Sequence, residues 1–227
     1  MDASMAGLLE EREQYDITVK LFFLPGAGVS EREQCTKDAL ALVMKELRVD
    51  NVNLLVVSFP GLSFESDCEY EADRINSAQG NDEEELATWP IMEDLYRSGI
   101  VKRLGLAEFG SEKLARFLEK VQVRPEVDQI NVKNCCSVPP PLIELSKKEK
   151  IELLTHSDTN EILPSGTLRE LLGTGPRGAG VVSEMKHSVD GSKSEIIPKW
   201  VAKYTAIVQN RGVIENKGYF AGAELTE

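Results

Sequence analysis

No stretch of this 227-residue chain approaches the roughly 18 consecutive apolar residues that a bilayer-spanning helix needs. Basic charge is also scarce: 26 Lys and Arg stand against 38 Asp and Glu, a net charge of −12. Nucleic acid and anionic membrane surfaces are bound through a basic face that neutralises phosphate, so neither is expected as a partner. The opening residues MDASMAGLLEEREQYD show no basic stretch followed by an apolar one, so a secretory signal is not expected there. Histidine is limited to His156 and His187, and cysteine to Cys35, Cys68, Cys135 and Cys136, with no C-x-x-C pair. Adjacent cysteines bridge only through a strained ring, so no disulfide framework is expected, and zinc lacks its usual paired ligands. The expected location is the cytoplasm.

The acidity that is present sits in two places. Residues 1–16 carry a net −4 and residues 61–86 a net −8, which accounts for the whole excess and leaves the rest neutral. Along that rest, strand patterns alternate with helical ones. Ile17–Leu24 (ITVKLFFL) reads as a strand, and Ser30 with Glu33 is spaced as a capping box for a helix with Cys35, Ala39, Leu42, Val43 and Leu47 on one face. Val52–Phe59 is a near-continuous apolar strand of the kind buried in parallel sheets. Thr88 is placed to cap a helix with Pro90 in its first turn, running through Met92, Leu95 and Tyr96 to Gly99. Strands at Ile100–Ala107, Val127–Val132 and Ile151–Thr155 alternate with helices at Ser111–Val121 and Pro140–Lys150. A short helix over 165–172, a helix over Lys199–Asn210 around Trp200, Tyr204 and Ile207, and a strand over Gly212–Phe220 complete the pattern.

The fold class expected is α/β with a parallel sheet of about six βα units. The expected organisation is an acidic tail (1–16) followed by one domain (17–227), with loop-like insertions at 61–86 and 173–197. Without tail and insertions about 160 residues remain, whereas a closed eight-unit barrel takes about 250 and at least about 200. The sheet is therefore open, or a barrel lacks its first strands.

Few side-chain constellations point to chemistry on their own. Gly173-Thr174-Gly175-Pro176-Arg177-Gly178 matches G-x-G-x-x-G, but it follows a helix and contains a proline, so it reads as a loop. His156, Ser157 and Asp158 are consecutive and cannot assemble a nucleophilic triad. His156 ends a strand, where it is either a pocket residue or a hydrogen-bonded structural histidine. Cys135-Cys136 also follows a strand, and is either a reactive thiol near a subunit contact or a pair of small buried residues. The acidic run Asp82–Glu85 reads as a solvated face.

Three stretches resemble the aldo-keto reductase barrel: Arg48–Pro60 its fourth strand, Ile100–Phe109 its fifth and Pro125–Asn131 its sixth. Ile17–Phe23 then corresponds to the third strand and Val213–Tyr219 to the eighth, while the first two have no counterpart. The resemblance implies an incomplete (β/α) TIM-barrel-like fold with an exposed strand edge along Ile17–Leu24. It places Lys20 at the family's catalytic lysine and Ser58 where the family has a histidine. Ala107 and Glu108 stand where a serine and an asparagine hold the nicotinamide carboxamide, and Gln129 is kept. The family's aspartate and tyrosine acid/base have no counterpart, so Lys20, Ser58 and Gln129 are expected to be vestiges and no cofactor or metal is expected.

A closer resemblance, over nearly all of the chain after residue 16, is to the regulatory (modifier or light) subunits of glutamate–cysteine ligase, a catalytically silent branch of the same fold. It rests on Gln129-Ile-Asn131-Val-Lys-Asn-Cys135-Cys136-Ser-Val-Pro139-Pro140, on Leu153-Leu-Thr-His156-Ser-Asp158 and on Arg211-Gly212-Val-Ile-Glu-Asn-Lys217-Gly218-Tyr219, in the family's order. The insertions at 61–86 and 173–197 depart from the family pattern. The resemblance implies a non-catalytic protein that binds the catalytic subunit, raises its glutamate affinity and weakens feedback inhibition by glutathione. Cys135, Cys136, His156 and Asp158 are the pocket or partner-contact candidates. The rival expectation is an NADPH-dependent carbonyl reductase with Lys20 and Gln129 as remnants of its site.

Overall fold

The computed structural model describes residues 7–64, 66, 68–133, 137–159, 161–180 and 195–226. Five runs rich in branched apolar residues form parallel strands: β1 (Tyr15–Phe23), β2 (Val52–Ser58), β3 (Val101–Ala107), β4 (Val127–Asn131) and β5 (Glu152–His156). They lie in the order β5-β4-β3-β2-β1, and two antiparallel strands, β6 (Glu195–Val208) and β7 (Val213–Thr226), extend the sheet beyond β1. The helices are α1 (Arg32–Leu47), α2 (Glu69–Asn76), α3 (Asp82–Arg97), α4 (Ser111–Leu118), α5 (Pro140–Glu149) and α6 (Thr167–Leu172). Ile17, Val19, Leu21 and Phe23 alternate along β1 and bury against Ala39, Leu40, Val43 and Leu47 of α1 in the main core. The opposite face carries a smaller cluster, Leu54, Val56, Ala107 and Val127 with Leu154 against it. The sheet is open, with β5 and β7 at its two ends.

The α/β pattern is as expected, but three local expectations are corrected. The first is the stretch 61–86, which is not a loop: α2 and the start of α3 lie in it. Asn81 caps α3 by accepting from the amides of Glu83 and Glu84, at 3.1 and 3.3 Å. The acids Asp82–Glu85 fill its first turn, where the helix dipole favours them. Thr88 and Pro90 therefore lie inside the helix rather than at its start. The acidity that suggested a loop is what starts the helix.

The second correction is Lys199–Asn210, which is strand β6 rather than a helix. Trp200, Tyr204 and Ile207 fit helical spacing, but Trp200, Ala202, Tyr204, Ala206 and Val208 are buried at strand period, with Val201 buried as well on the other face. The third follows from it. The outer edge of β1 is not exposed, because β6 pairs antiparallel along its whole length, from Tyr15 opposite Val208 to Phe23 opposite Trp200. Val213–Tyr219 is accordingly the antiparallel partner of β6, not a parallel barrel strand.

Candidate functional site

The register of the sheet brings Lys20, Val56, Gly105 and Val127 into one row on the face away from the main core. Lys203 of β6 stands directly opposite Lys20 on that face. Two like charges side by side repel, and a ring of acceptors compensates them. Asp158, just past β5, accepts from Lys203 Nζ through Oδ1 at 2.5 Å and has its Oδ2 3.7 Å from Lys20 Nζ. Lys20 Nζ also lies 3.1 Å from His156 Nε2, at the end of β5. Glu108, just past β3, places Oε1 2.5 Å from the same ring nitrogen.

The backbone sets these positions. Glu108 is left-handed (φ +62°), a conformation unfavourable for a residue with a side chain. It is held at both ends: its amide donates to the Gln129 carbonyl at 3.0 Å, and its carbonyl accepts from Asn76 Nδ2 of α2 at 2.8 Å. Its second carboxylate oxygen accepts the Asn131 amide at 3.2 Å. Asn131 in turn donates its side-chain amide to the Asp158 carbonyl at 3.1 Å. The Asp158 amide donates to His156 Nδ1 at 3.2 Å, which assigns the neutral ring's proton to Nε2, facing Glu108.

The electrostatics follow from burial. Lys20 is 4% exposed, and burial pushes its ammonium down to about 8, against the opposing pull of Glu108 and Asp158. Burial pushes Asp158 up, but the Lys203 hydrogen bond and the charges of Lys20 and Lys203 outweigh it and hold Asp158 below its ordinary value. Asp128, fully buried on β4, is driven well above the ordinary carboxylate range by burial and then by Glu108. Two ammonium groups thus meet two carboxylates and an imidazole, with Lys20 relying on the Asp158 carboxylate 3.7 Å away because the His156 Nε2–H beside it cannot accept. Such a cluster ties β1 and β6 to the ends of β3 and β5.

Of the residues expected from the sequence, Lys20, His156 and Asp158 come together here. Ser58 sits beside Phe22, one step further along the same face, and is half-buried. Gln129 lies beside Ala107, with its side-chain oxygen buried and without a hydrogen-bond partner. Cys135 and Cys136 lie outside the described residues. Glu108 and Lys203 were not expected as site residues. Strand parity would have put Lys203 on the face of Lys20, had its segment been read as a strand. Among the described residues no group of three or more His, Cys, Asp or Glu side chains has the geometry to hold a metal ion.

The aldo/keto reductase family model matches residues 4–210. The chain belongs to the aldo/keto reductase family. Within and around that family, it is 29% identical over 225 residues to a putative glutamate–cysteine ligase regulatory subunit of Schizosaccharomyces pombe, covering 96% of this chain and 74% of that protein. The human glutamate–cysteine ligase regulatory subunit is 26% identical over 215 residues, covering 95% of this chain and 68% of that one. Among solved structures, a Bombyx mori aldo-keto reductase in complex with NADP is 21% identical with a TM-score of 0.47, covering 65% of this chain and 43% of that one. The chain thus spans less than half of that structure. Among the described residues, no helix of this aldo/keto reductase family member is long and apolar enough to cross a membrane.

Proposed function

We propose that this chain is a non-catalytic regulatory subunit that binds the catalytic subunit of glutamate–cysteine ligase, tuning its glutamate affinity and its feedback inhibition by glutathione. The observation that carries this reading is the similarity to two such regulatory subunits over 95% and 96% of the chain. A regulator works by binding one conformation of its partner better than another, since only differential affinity shifts an equilibrium. The cluster around Lys20 suits a protein of that kind, because it holds four strands in one arrangement without needing a substrate.

The donor set also argues against a nicotinamide dinucleotide. Gln129 offers one buried, unpartnered acceptor that would suit a carboxamide. Across from it, however, the position corresponding to the family's carboxamide-holding residue carries the Glu108 carboxylate, already engaged with His156 and the Asn131 amide. Reduction of a carbonyl further needs a proton donor such as a phenol within reach. Tyr15 and Tyr204 instead donate their hydroxyls to Glu215 and Asn216, at 2.6 and 3.2 Å. The residues present do not fit that cofactor.

The test is direct. Mixing the chain with the catalytic subunit should give a stable complex with a lower KM for glutamate and weaker inhibition by glutathione. Absence of both complex and kinetic change would overturn the reading. Saturable quenching of tryptophan emission by NADPH, together with aldehyde turnover, would replace it with a reductase.

A further inference from the structure

Away from the Lys20 cluster, a trough of about 900 Å3 runs along the helix-bearing face of the sheet at its β6–β7 end. Its floor is the Trp200 indole, lying over Gly222 of β7. One wall is α1, and the other is α6, whose Leu168 and Leu172 face in. Although α1 packs against β1, β6 and β7, α6 packs mainly on β6, is six residues long and buries none of them. In an α/β layer, a sheet face of this width is ordinarily covered by a further helix packed beside the first. Among the described residues, none fills that place.

The wall has the form that a helix packs against. Gln34, Asp38 and Leu42 of α1 follow one another at i, i+4 and i+8, a ridge that an adjacent helix can take into its own groove. Leu42 is a large apolar side chain 39% exposed on that ridge. The charge is one-sided. Glu31, Asp38 and Glu224 surround Lys199, which bridges Glu31 and Glu224 at 2.9 and 2.8 Å, while Asp38 accepts only from the neutral Gln34 amide at 2.8 Å among the described residues. Cys35 in the same wall has its thiol pushed up by burial and then by Glu31 and Asp38, in keeping with a negative field there.

We propose that this trough is the docking site for an amphipathic helix of the partner chain, with its apolar stripe on Leu42, Trp200 and Leu168 and a lysine- or arginine-bearing flank against Asp38 and Glu31. The mode is a helix laid in a groove, where apolar anchors supply affinity and the charged rim supplies orientation. The inference rests on the regulatory-subunit reading for the identity of the partner. It adds where the two chains meet.

The test uses the full chain and the glutamate–cysteine ligase catalytic subunit, with binding followed by sedimentation. Leu42→Arg places a charge on an exposed position of α1, and should weaken the complex about tenfold or more. Asp38→Lys should weaken it less and flatten its dependence on salt. Tyr96→Arg, on the exposed side of α3, is the control and should bind like the parent chain. Circular dichroism and Trp200 emission should show that all three variants are folded. Unchanged affinity of both α1 variants, with the parent binding normally, would overturn the trough as the site and leave the regulatory reading standing. No binding by the parent chain would overturn both. A self-associated parent that Leu42→Arg makes monomeric, with partner binding unaffected, would assign the trough to a second copy of this chain and also overturn the proposal.

Discussion

Burial pushes the Lys20 ammonium down to about 8 in the folded chain, from the ordinary lysine value of 10.5. Between those values the unfolded state binds the additional proton, so stability rises with pH across that window, and below it the buried ammonium is a cost. Denaturation midpoints in urea should therefore climb between about pH 8 and 10, with a slope of at most about 1.4 kcal/mol per pH unit from this group. Lys20→Met should remove that slope, and an unchanged slope would assign it to other groups. Part of this site is legible in the chain itself. His156 and Asp158 stand at or beside a strand end, where βα folds gather their sites, and Lys20 is marked by the family resemblance. Glu108 is not legible, because its role depends on a left-handed backbone held by Asn76 of α2, a helix in a segment whose composition suggests a loop. Lys203 escapes for a simpler reason: its neighbours fit a helical and a strand period equally well.

At the scale of elements, the β6–β7 hairpin is built on two aromatic–glycine pairs. Trp200 lies over Gly222 and Tyr204 over Gly218, directly across the strands, with Phe220 stacked on Tyr204 at 5.8 Å between ring centroids. A Cβ at position 222 would come within 2.2 Å of the Trp200 indole nitrogen. Gly222→Ala should therefore displace Trp200 and destabilise the fold by about 1–3 kcal/mol, visible as a lower melting temperature and altered tryptophan emission. Retention of both would show that the indole moves freely. The outer edge of β7 is the second consequence of this hairpin. It is 14 residues long, ends the sheet and leaves Val213, Ile214, Tyr219 and Leu225 at 49–60% exposure. Long apolar edges invite pairing with other chains. Ile214→Lys should lower self-association, as followed by light scattering over a concentration series, and no change would place any association elsewhere. The parallel strands were legible from the apolar runs of β1 and β2 and from the regular alternation of the later strands with helical patterns. The hairpin was not, because pairing between β1 and a strand nearly 180 residues later is decided by long-range contact and leaves no local mark.

For the molecule as a whole, the net charge of −12 proves to be more than surface decoration. Within the acidic stretch, Asp82 and Glu85 pair with Lys113 at 2.6 and 2.8 Å, and that lysine is 1% exposed. Asp73 accepts the amide of Ser111 at 2.6 Å and so caps α4. These carboxylates tie α2, α3 and α4 into one layer. Lys113→Met would leave the Glu85 carboxylate buried without its cation, and should cost about 3–5 kcal/mol, measured by chemical denaturation at neutral pH. It should also push Glu85 further above its ordinary value, since burial already raises it and Lys113 is what opposes that rise. A near-neutral effect would mean that water reaches the pair. The pairing of β1 with β6 has a consequence in time as well as in space. During synthesis the outer edge of β1 is made well before the strand that covers it, which ends at Val208. At translation rates of roughly 5–20 residues per second, that edge waits on the order of ten to forty seconds for its partner. Throughout that interval the nascent chain presents an unpaired apolar strand, so its yield should depend on the chaperones waiting at the ribosome more than on the stability of the finished sheet.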